Sequence, residues 1–295
     1  MSNVESTLER GIAGLKFGSD LVADAQTGEI KHEEIATYAE QIAVVNKQFS
    51  PVIFTSGAAV SGKAYLESEG IDTSEFGAQE LAGAGTDEIS KAWKKALIAH
   101  RIVGIQVLAN HDQMKQGSVL MRTLLHGIGL GIVYIINEND QENVFELELY
   151  EEYETTQSSQ QEGNGKRVKK PGVDNDFLAA RGMVALKEEL AAEDFADQQI
   201  SLALFTAVGG FMLDGAVQPE IHSRDRDYLV RQCDGKSNLG TGGMEYKLDA
   251  AFLAAQSGVV TRIASPQHDF LNVLKGVDEE GASIGTRVLH DATIG

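Results

Sequence analysis

Short runs rich in Val, Ile, Leu and Phe recur along the chain at Gly14 to Phe17, Pro51 to Thr55, Ile102 to Leu108, Ile132 to Ile136, Ile200 to Thr206 and Val259 to Ala264. Apolar runs this short, bounded by turn residues, predict strands buried on both faces, the pattern of a largely parallel sheet. Between them the period changes. Ile35, Tyr38, Ala39, Ile42 and Val45 keep helical spacing, as do Ile89, Trp93, Ala96 and Leu97, and later Leu248, Ala251, Phe252 and Ala255. Strand and helix alternate, which predicts a layered α/β domain with right-handed crossovers. The segment from Glu148 to Gly172 departs from this pattern, starting acidic, carrying an Asn164-Gly165 pair and ending in Lys166-Arg167-Val168-Lys169-Lys170. It reads either as a protruding hairpin or as an irregular loop. No internal repeat or linker stands out, so residues 1–295 read as one domain with two lobes.

Composition narrows the partners. The 295 residues are 42% hydrophobic, enough for a large core, and 25 Lys+Arg against 44 Asp+Glu leave a formal charge of −19. That balance repels phosphate backbones and argues against nucleic acid and anionic membranes as general partners. A bound anion must therefore find a local positive pocket. The single Cys233 forms no intramolecular disulfide and fits a reducing, cytoplasmic setting. No secretory signal is visible, since Glu5, Glu9 and Arg10 interrupt the start of the chain. The apolar run Gly127 to Ile136 is about half of the roughly 20 residues a spanning helix needs. The expectation is a soluble cytoplasmic protein.

In a parallel sheet, ligands collect outside the carboxyl ends of the strands. Those ends read Lys16-Phe17-Gly18-Ser19, Ser56-Gly57-Ala58-Ala59, Asn137-Glu138-Asn139-Asp140 and Thr206-Ala207-Val208-Gly209-Gly210. Each alone is an ordinary polar turn; together they gather Lys, hydroxyl, amide and carboxylate groups at one edge. The strongest local signal is Gly240-Thr241-Gly242-Gly243-Met244-Glu245-Tyr246-Lys247, a glycine-rich loop entering an amphipathic helix from about Glu245 to Gln256. Helix-start N–H groups lack intrahelical partners and form an anion site that glycine lets a phosphate approach. Lys247 in the first turn opposes the helix dipole unless an anion is bound. Val173-Asp174-Asn175-Asp176 precedes another apolar helical pattern. One of these residues suffices as an N-cap. Asp176 could stand between cationic side chains, and Asn175 with Asp140 could bind the ammonium or amide edge of an amino acid.

Other schemes find less support. Gly57 to Ala64 has the glycine and lysine spacing of a Walker A loop, but Ala64 stands where that motif needs a hydroxyl for Mg²⁺. Cys233 has acidic Asp234 beside it, a poor setting for a nucleophile. The seven His, His111 among them, show no zinc-like spacing and read as scattered surface or satisfied core residues. No dedicated metal ligands are read; a hard cation such as Mg²⁺ would be held mainly by nucleotide phosphates.

The ordered set Lys16-Phe17-Gly18-Ser19, Thr55-Ser56-Gly57-Ala58, Ile136 to Asp140, Asp174-Asn175-Asp176, Leu204-Phe205-Thr206 and Gly240 to Lys247 resembles the amino-acid kinase superfamily, and within it the glutamate 5-kinase branch. The resemblance runs from about Gly14 to Gly285-Thr286. It implies a three-layer αβα sandwich with a mainly parallel central sheet, an acceptor lobe at about 1–192 and a nucleotide lobe at about 193–295. Carried over by position, Lys16 and Lys247 contact the transferring phosphate and Asp176 holds them. Ser56, Gly57, Asp140 and Asn175 bind the amino-acid acceptor, and Lys16, Gly18, Thr206, Ala207, Thr241, Gly242, Gly243, Met244 and Lys247 line the nucleotide. The implied reaction is ATP-dependent phosphorylation of the glutamate side-chain carboxylate, with Mg²⁺, feeding proline synthesis. The expected partners are the small-molecule substrate and further copies of the chain in a homo-oligomer.

Three departures accompany the resemblance. Ala207 replaces the Asp that usually follows the family's Thr, the stretch between Asp140 and Asp174 is longer than usual, and the chain stops soon after Thr286, where many relatives continue into an RNA-modification-enzyme-like (PUA) module. Two alternatives stay open: the same fold with a different carboxylate, carbamate or phosphate acceptor, and a catalytically weak nucleotide-binding protein.

Overall fold

The computed structural model describes residues 10–140, 174–193, 195–233 and 243–291. In chain order the strands are β1 (Gly11–Lys16), β2 (Phe49–Phe54), β3 (Gly104–Ala109), β4 (Val133–Glu138), β5 (Ile200–Phe205), β6 (Met212–Leu213), β7 (Ala216–Val217), β8 (Glu220–His222), β9 (Val260–Ala264) and β10 (Thr286–Leu289). The helices are α1 (Ser19–Val22), α2 (His32–Val45), α3 (Ala58–Ser68), α4 (Ala78–Ala99), α5 (Val119–Gly129), α6 (Asn175–Ala192), α7 (Arg226–Gln232), α8 (Met244–Gln256) and α9 (Phe270–Lys275). All six apolar runs are strands, with ends displaced by at most three residues, as at β1, which begins at Gly11 rather than Gly14. Strands β8 and β10, three and four residues long, were not anticipated. They are too short to show a period.

Eight strands form one sheet in the order β3-β4-β2-β1-β5-β9-β10-β8, with β6 and β7 pairing separately. From β3 to β9 every pair is parallel. Strand β10 runs antiparallel to β9 and parallel to β8. Side chains of α5, α6, α7 and α8 cover one face of the sheet. Those of α1, α2, α4 and α9 cover the other, which completes the expected αβα layering. The sheet continues across the expected lobe boundary, which falls at the end of α6, through the pairing of β1 with β5.

Strand β1 shows why its sequence reads apolar throughout. Ile12 belongs to the core under α6, whereas Ala13 and Leu15 belong to the core under α2 and α4, as the period of two requires. Gly14 faces α6, and a Cβ there would lie 2.7 Å from both Cγ and Sδ of Met183. Gly182 on α6 is similarly constrained, with Phe54 Cζ 3.0 Å from its would-be Cβ. Two glycines thus let α6 lie close on β1 and β2. From β1 the chain turns to β2 through the α1–α2 face, and from β5 it reaches β9 through the α8 face. The crevice between the carboxyl ends of β1 and β5 is therefore a topological switch point.

Candidate functional site

Lys16 closes β1 on the α6 face, Asp176 lies in the first turn of α6, and Lys247 lies in the first turn of α8. The three meet. Lys16 Nζ is 2.8 Å from Asp176 Oδ1, and Lys247 Nζ donates to Oδ1 at 2.9 Å and Oδ2 at 3.1 Å. Their relative exposures are 5%, 3% and 7%, so all three charges are withdrawn from bulk water. Burial by itself would raise the Asp176 carboxyl; the Lys16 and Lys247 ammonium groups outweigh it and hold the group well below the usual carboxylate range. Lys247 is lowered from the ordinary lysine value by burial, which exceeds the opposing pull of Asp176, while Lys16 adds to the lowering. Two ammonium groups on one carboxylate leave one formal positive charge in excess, buried within an acidic chain.

The helix starts around this cluster differ by design of sequence. Asp174 caps α6, its Oδ1 accepting from the N–H groups of Asp176 at 3.0 Å and Phe177 at 2.9 Å. Helices α3 and α8 begin instead on Gly57 and Gly243, which offer no side-chain acceptor. Gly57 adopts φ +94°, a conformation that favours glycine, in turning the chain from β2 into α3. Neither α3 nor α8 therefore has a side-chain cap at its start, the kind of helix start that suits an anion.

Asn175 Oδ1 accepts from the Glu138 N–H at 3.1 Å, which ties the start of α6 to the end of β4. Ser56 and Gly57 follow β2, Gly18 follows β1, Asp140 follows β4, and Thr206 and Ala207 follow β5. These are four adjacent strands, β4-β2-β1-β5. Thr206 is partly buried and its N–H donates to Ala264 O at 2.9 Å, whereas Ala207 is exposed. Gly243 and Met244 stand at the α8 start. Thr241, Gly242 and the 148–172 segment lie outside the described residues. Beneath the same edge, on the α2–α4 face, Phe17 packs on Trp93 and Phe205 at ring-centroid distances of 5.0 Å, and Phe205 on Phe270 at 4.5 Å. This aromatic floor stiffens the strand ends that carry the polar groups.

The Walker-like stretch is helix rather than phosphate loop. Ala58–Ser68 is α3, and Gly62 lets it lie backbone to backbone against Gly85 of α4. Lys63 projects outward to Glu67 at 3.8 Å. Cys233 is partly buried and donates to Leu229 O at 3.3 Å.

One histidine corrects the sequence reading. His111, directly after β3, lies with Nε2 3.5 Å from Glu138 Oε1, and neither ring nitrogen has a hydrogen-bond partner among the described residues. It is neither a surface nor a satisfied core residue. The rule that found the other strand exits would have found it, but β3 was expected to end at Leu108 and its exit was not considered. Glu138, which ends β4, is itself buried at 5% exposed.

Among the described residues, no helix is long and apolar enough to cross a membrane. A family model described as the amino acid kinase family matches residues 15–149. A glutamate 5-kinase from Halorhodospira halophila is 27% identical over 289 residues, covering 94% of this chain and 67% of that protein. Carbamate kinase from Giardia lamblia, solved bound to AMP-PNP, superposes with a TM-score of 0.62 at 14% identity, covering 96% of this chain and all of the other. Isopentenyl phosphate kinase from T. acidophilum superposes with a TM-score of 0.56 at 10% identity, over 94% of this chain and 99% of the other.

Proposed function

We propose that the chain is a member of the amino acid kinase family, whose model matches residues 15–149, and that it transfers the γ-phosphoryl group of ATP to the side-chain carboxylate of glutamate. The carboxylate oxygen attacks the γ-phosphorus in line, the bond to the β-phosphate oxygen breaks, and that oxygen leaves with the electron pair as ADP. The product is an acyl phosphate, and the reaction would open a route to proline.

The observation that carries this reading is the convergence of Lys16 and Lys247 on Asp176. Phosphoryl transfer needs little covalent chemistry from a protein. It needs reactants aligned and the charge on the phosphoryl oxygens neutralised. Lys16 and Lys247, held by one carboxylate and carrying one positive charge in excess, supply fixed cations where charge builds up. The N–H groups at the α8 start hold nucleotide phosphates, together with Gly18, Thr206, Ala207, Thr241, Gly242, Gly243 and Met244 in contact with the nucleotide. Ala207 gives one polar contact fewer than Asp would. Ser56, Gly57, Asp140 and Asn175 take the acceptor, Asp140 facing its ammonium group. Strands β3, β4, β2 and β1 then form the acceptor side and β5, β9, β10 and β8 the nucleotide side.

The family implies Mg²⁺ with ATP. Both oxygens of Asp176 are engaged by ammonium groups, and the described residues contain no group of three His, Cys, Asp or Glu suited to an ion. That donor set fits an ion carried on the ATP phosphates, where it would neutralise their oxygens.

Incubation with ATP, Mg²⁺, hydroxylamine and a panel of amino acids tests the proposal through the hydroxamate that traps an acyl phosphate. Hydroxamate with glutamate is expected. Hydroxamate with another acid alone would reassign the acceptor, and ADP without hydroxamate would argue against a carboxylate acceptor. No turnover with any acceptor would overturn the kinase reading. A different carboxylate acceptor is the second reading, favoured by His111 beside Glu138 in the acceptor wall.

A further inference from the structure

At the opposite edge of the sheet, the amino ends of the central strands border a cavity of about 390 Å³. Phe49 opens β2, Val260 opens β9 and Gln199 precedes β5, so a strand length, about 17 Å, separates this cavity from Lys16. Its charged lining is all of one sign: Arg262, Arg287 and Lys275. Phe49, Val260 and Leu274 supply apolar wall.

Three features set these cations apart from a solvated surface. Arg262 and Arg287 are direct cross-strand partners in the antiparallel pair of β9 and β10, an arrangement in which like charges destabilise. None of the three forms an ion pair with a described residue, although Asp+Glu outnumber Lys+Arg 44 to 25 in the chain. Arg262 Nε is buried without a hydrogen-bond partner, and its Nη1 reaches only Ile284 O at 3.4 Å. A buried cationic N–H left unpaired is costly and calls for an acceptor. The backbone also makes room for this guanidinium. Gly276, at φ +87°, ends α9 against it, and a Cβ there would collide with Arg262 Nη2. Burial first, and Arg287 second, press the Arg262 guanidinium toward losing its charge, against a smaller opposing pull from Glu220. An anion would reverse that balance.

We propose that this cavity binds a small organic anion carrying two or more negative charges, a polycarboxylate or a phosphate ester. Arg262, Arg287 and Lys275 hold its charged groups, and its carbon skeleton lies on Phe49, Val260 and Leu274. The site is independent of the phosphoryl-transfer reading, and its ligand does not compete with ATP.

Isothermal titration of the full chain with citrate, glycerol 3-phosphate and inorganic phosphate, at ionic strength matched with chloride and without Mg²⁺, tests this. Saturable binding of citrate or glycerol phosphate is expected. The double variant Lys275→Ala/Arg287→Ala alters two exposed side chains and should fold as the parent does, verified by its thermal midpoint. Its affinity for the bound probe should fall about tenfold or more, with ATP affinity unchanged. Lys247→Ala should leave binding of the probe intact. No saturable binding of either organic anion, equal affinity in the double variant, or loss of binding in Lys247→Ala would each overturn the proposal. Inorganic phosphate binding as tightly as the organic anions would remove the role of the apolar wall.

Discussion

Asp176 and Lys247, 71 positions apart in the chain, share two hydrogen bonds of 2.9 and 3.1 Å, with Lys16 on the same carboxylate at 2.8 Å. A carboxylate between two ammonium groups fixes both and permits them to remain charged while buried. Asp176→Asn keeps the shape and removes the charge. Catalytic efficiency should fall about 100-fold or more. Lys247, already lowered by burial, loses the group that opposes that lowering. The alkaline limb of the variant's pH–rate profile should therefore move to lower pH than the parent's; coincident limbs would exclude this electrostatic role.

Lys247→Ala should abolish turnover, by about 1,000-fold or more, with the fold retained. Removing Lys247 leaves Lys16 and Asp176 as a one-to-one pair and takes away the excess buried charge, so no unpaired carboxylate results. Steady-state rates with thermal unfolding on the same sample check both halves. Lys247→Arg should restore little, because a planar fork does not replace a compact ammonium in a closed site.

Acid should destabilise the protein through Asp176. Its folded pKa lies below the ordinary 3.8. The stability contributed by the ionised carboxylate is thus fully present above that pH and is lost as pH falls through the folded value. Urea midpoints of the parent and Asp176→Asn should differ by a constant amount between about pH 5 and 7 and converge under acid. A gap that widens on acidification would contradict this assignment.

Gly14→Val tests the close approach of α6 to β1. The added side chain meets Met183 and must displace α6, which should cost about 1–3 kcal/mol by chemical denaturation. Because α6 carries Asp176, turnover should fall as well. Combining the change with Met183→Ala should recover part of both losses, whereas independent effects would simply add.

The acceptor wall should separate from the nucleotide side in kinetics. Asn175→Ala breaks the bond to the Glu138 N–H and, on the proposed reading, removes an acceptor contact, so KM for the amino acid should rise with KM for ATP nearly unchanged. His111→Ala should change acceptor preference across the amino-acid panel more than it changes the rate with ATP in excess. An equal effect on both substrates would place His111 outside the acceptor wall.

The strand runs were readable because a parallel sheet buried on both faces leaves continuous apolar segments, and Lys16, Ser56, Asp140 and Thr206 could be placed because each lies at or just beyond the end of such a run. The ends of the elements were less legible. Strand β1 opens at Gly11, three residues before the run read from sequence, because Gly11 and Gly14 carry no hydrophobic signal and isolate Ile12 and Ala13 between them. His111 escaped because its strand was read one residue short and an isolated histidine has no periodicity. Arg262 and Arg287 lie 25 positions apart, and nothing local announces that they face each other across a strand pair.

By itself, the sequence determined what depends on neighbours along the chain: the alternation of strand and helix, the glycine-rich start of α8, a cap within Asp174 to Asp176, and the Ala64 that spoils a phosphate loop. Only the tertiary structure decided what depends on long-range packing. It joined Lys16, Asp176 and Lys247 into one buried cluster, set His111 against Glu138, and collected three cations at the far edge of the sheet. The physical reason is range. Backbone preference and hydrophobic period act over a few residues, whereas the charge state of a buried lysine is set by whichever distant carboxylate the fold brings within hydrogen-bond reach.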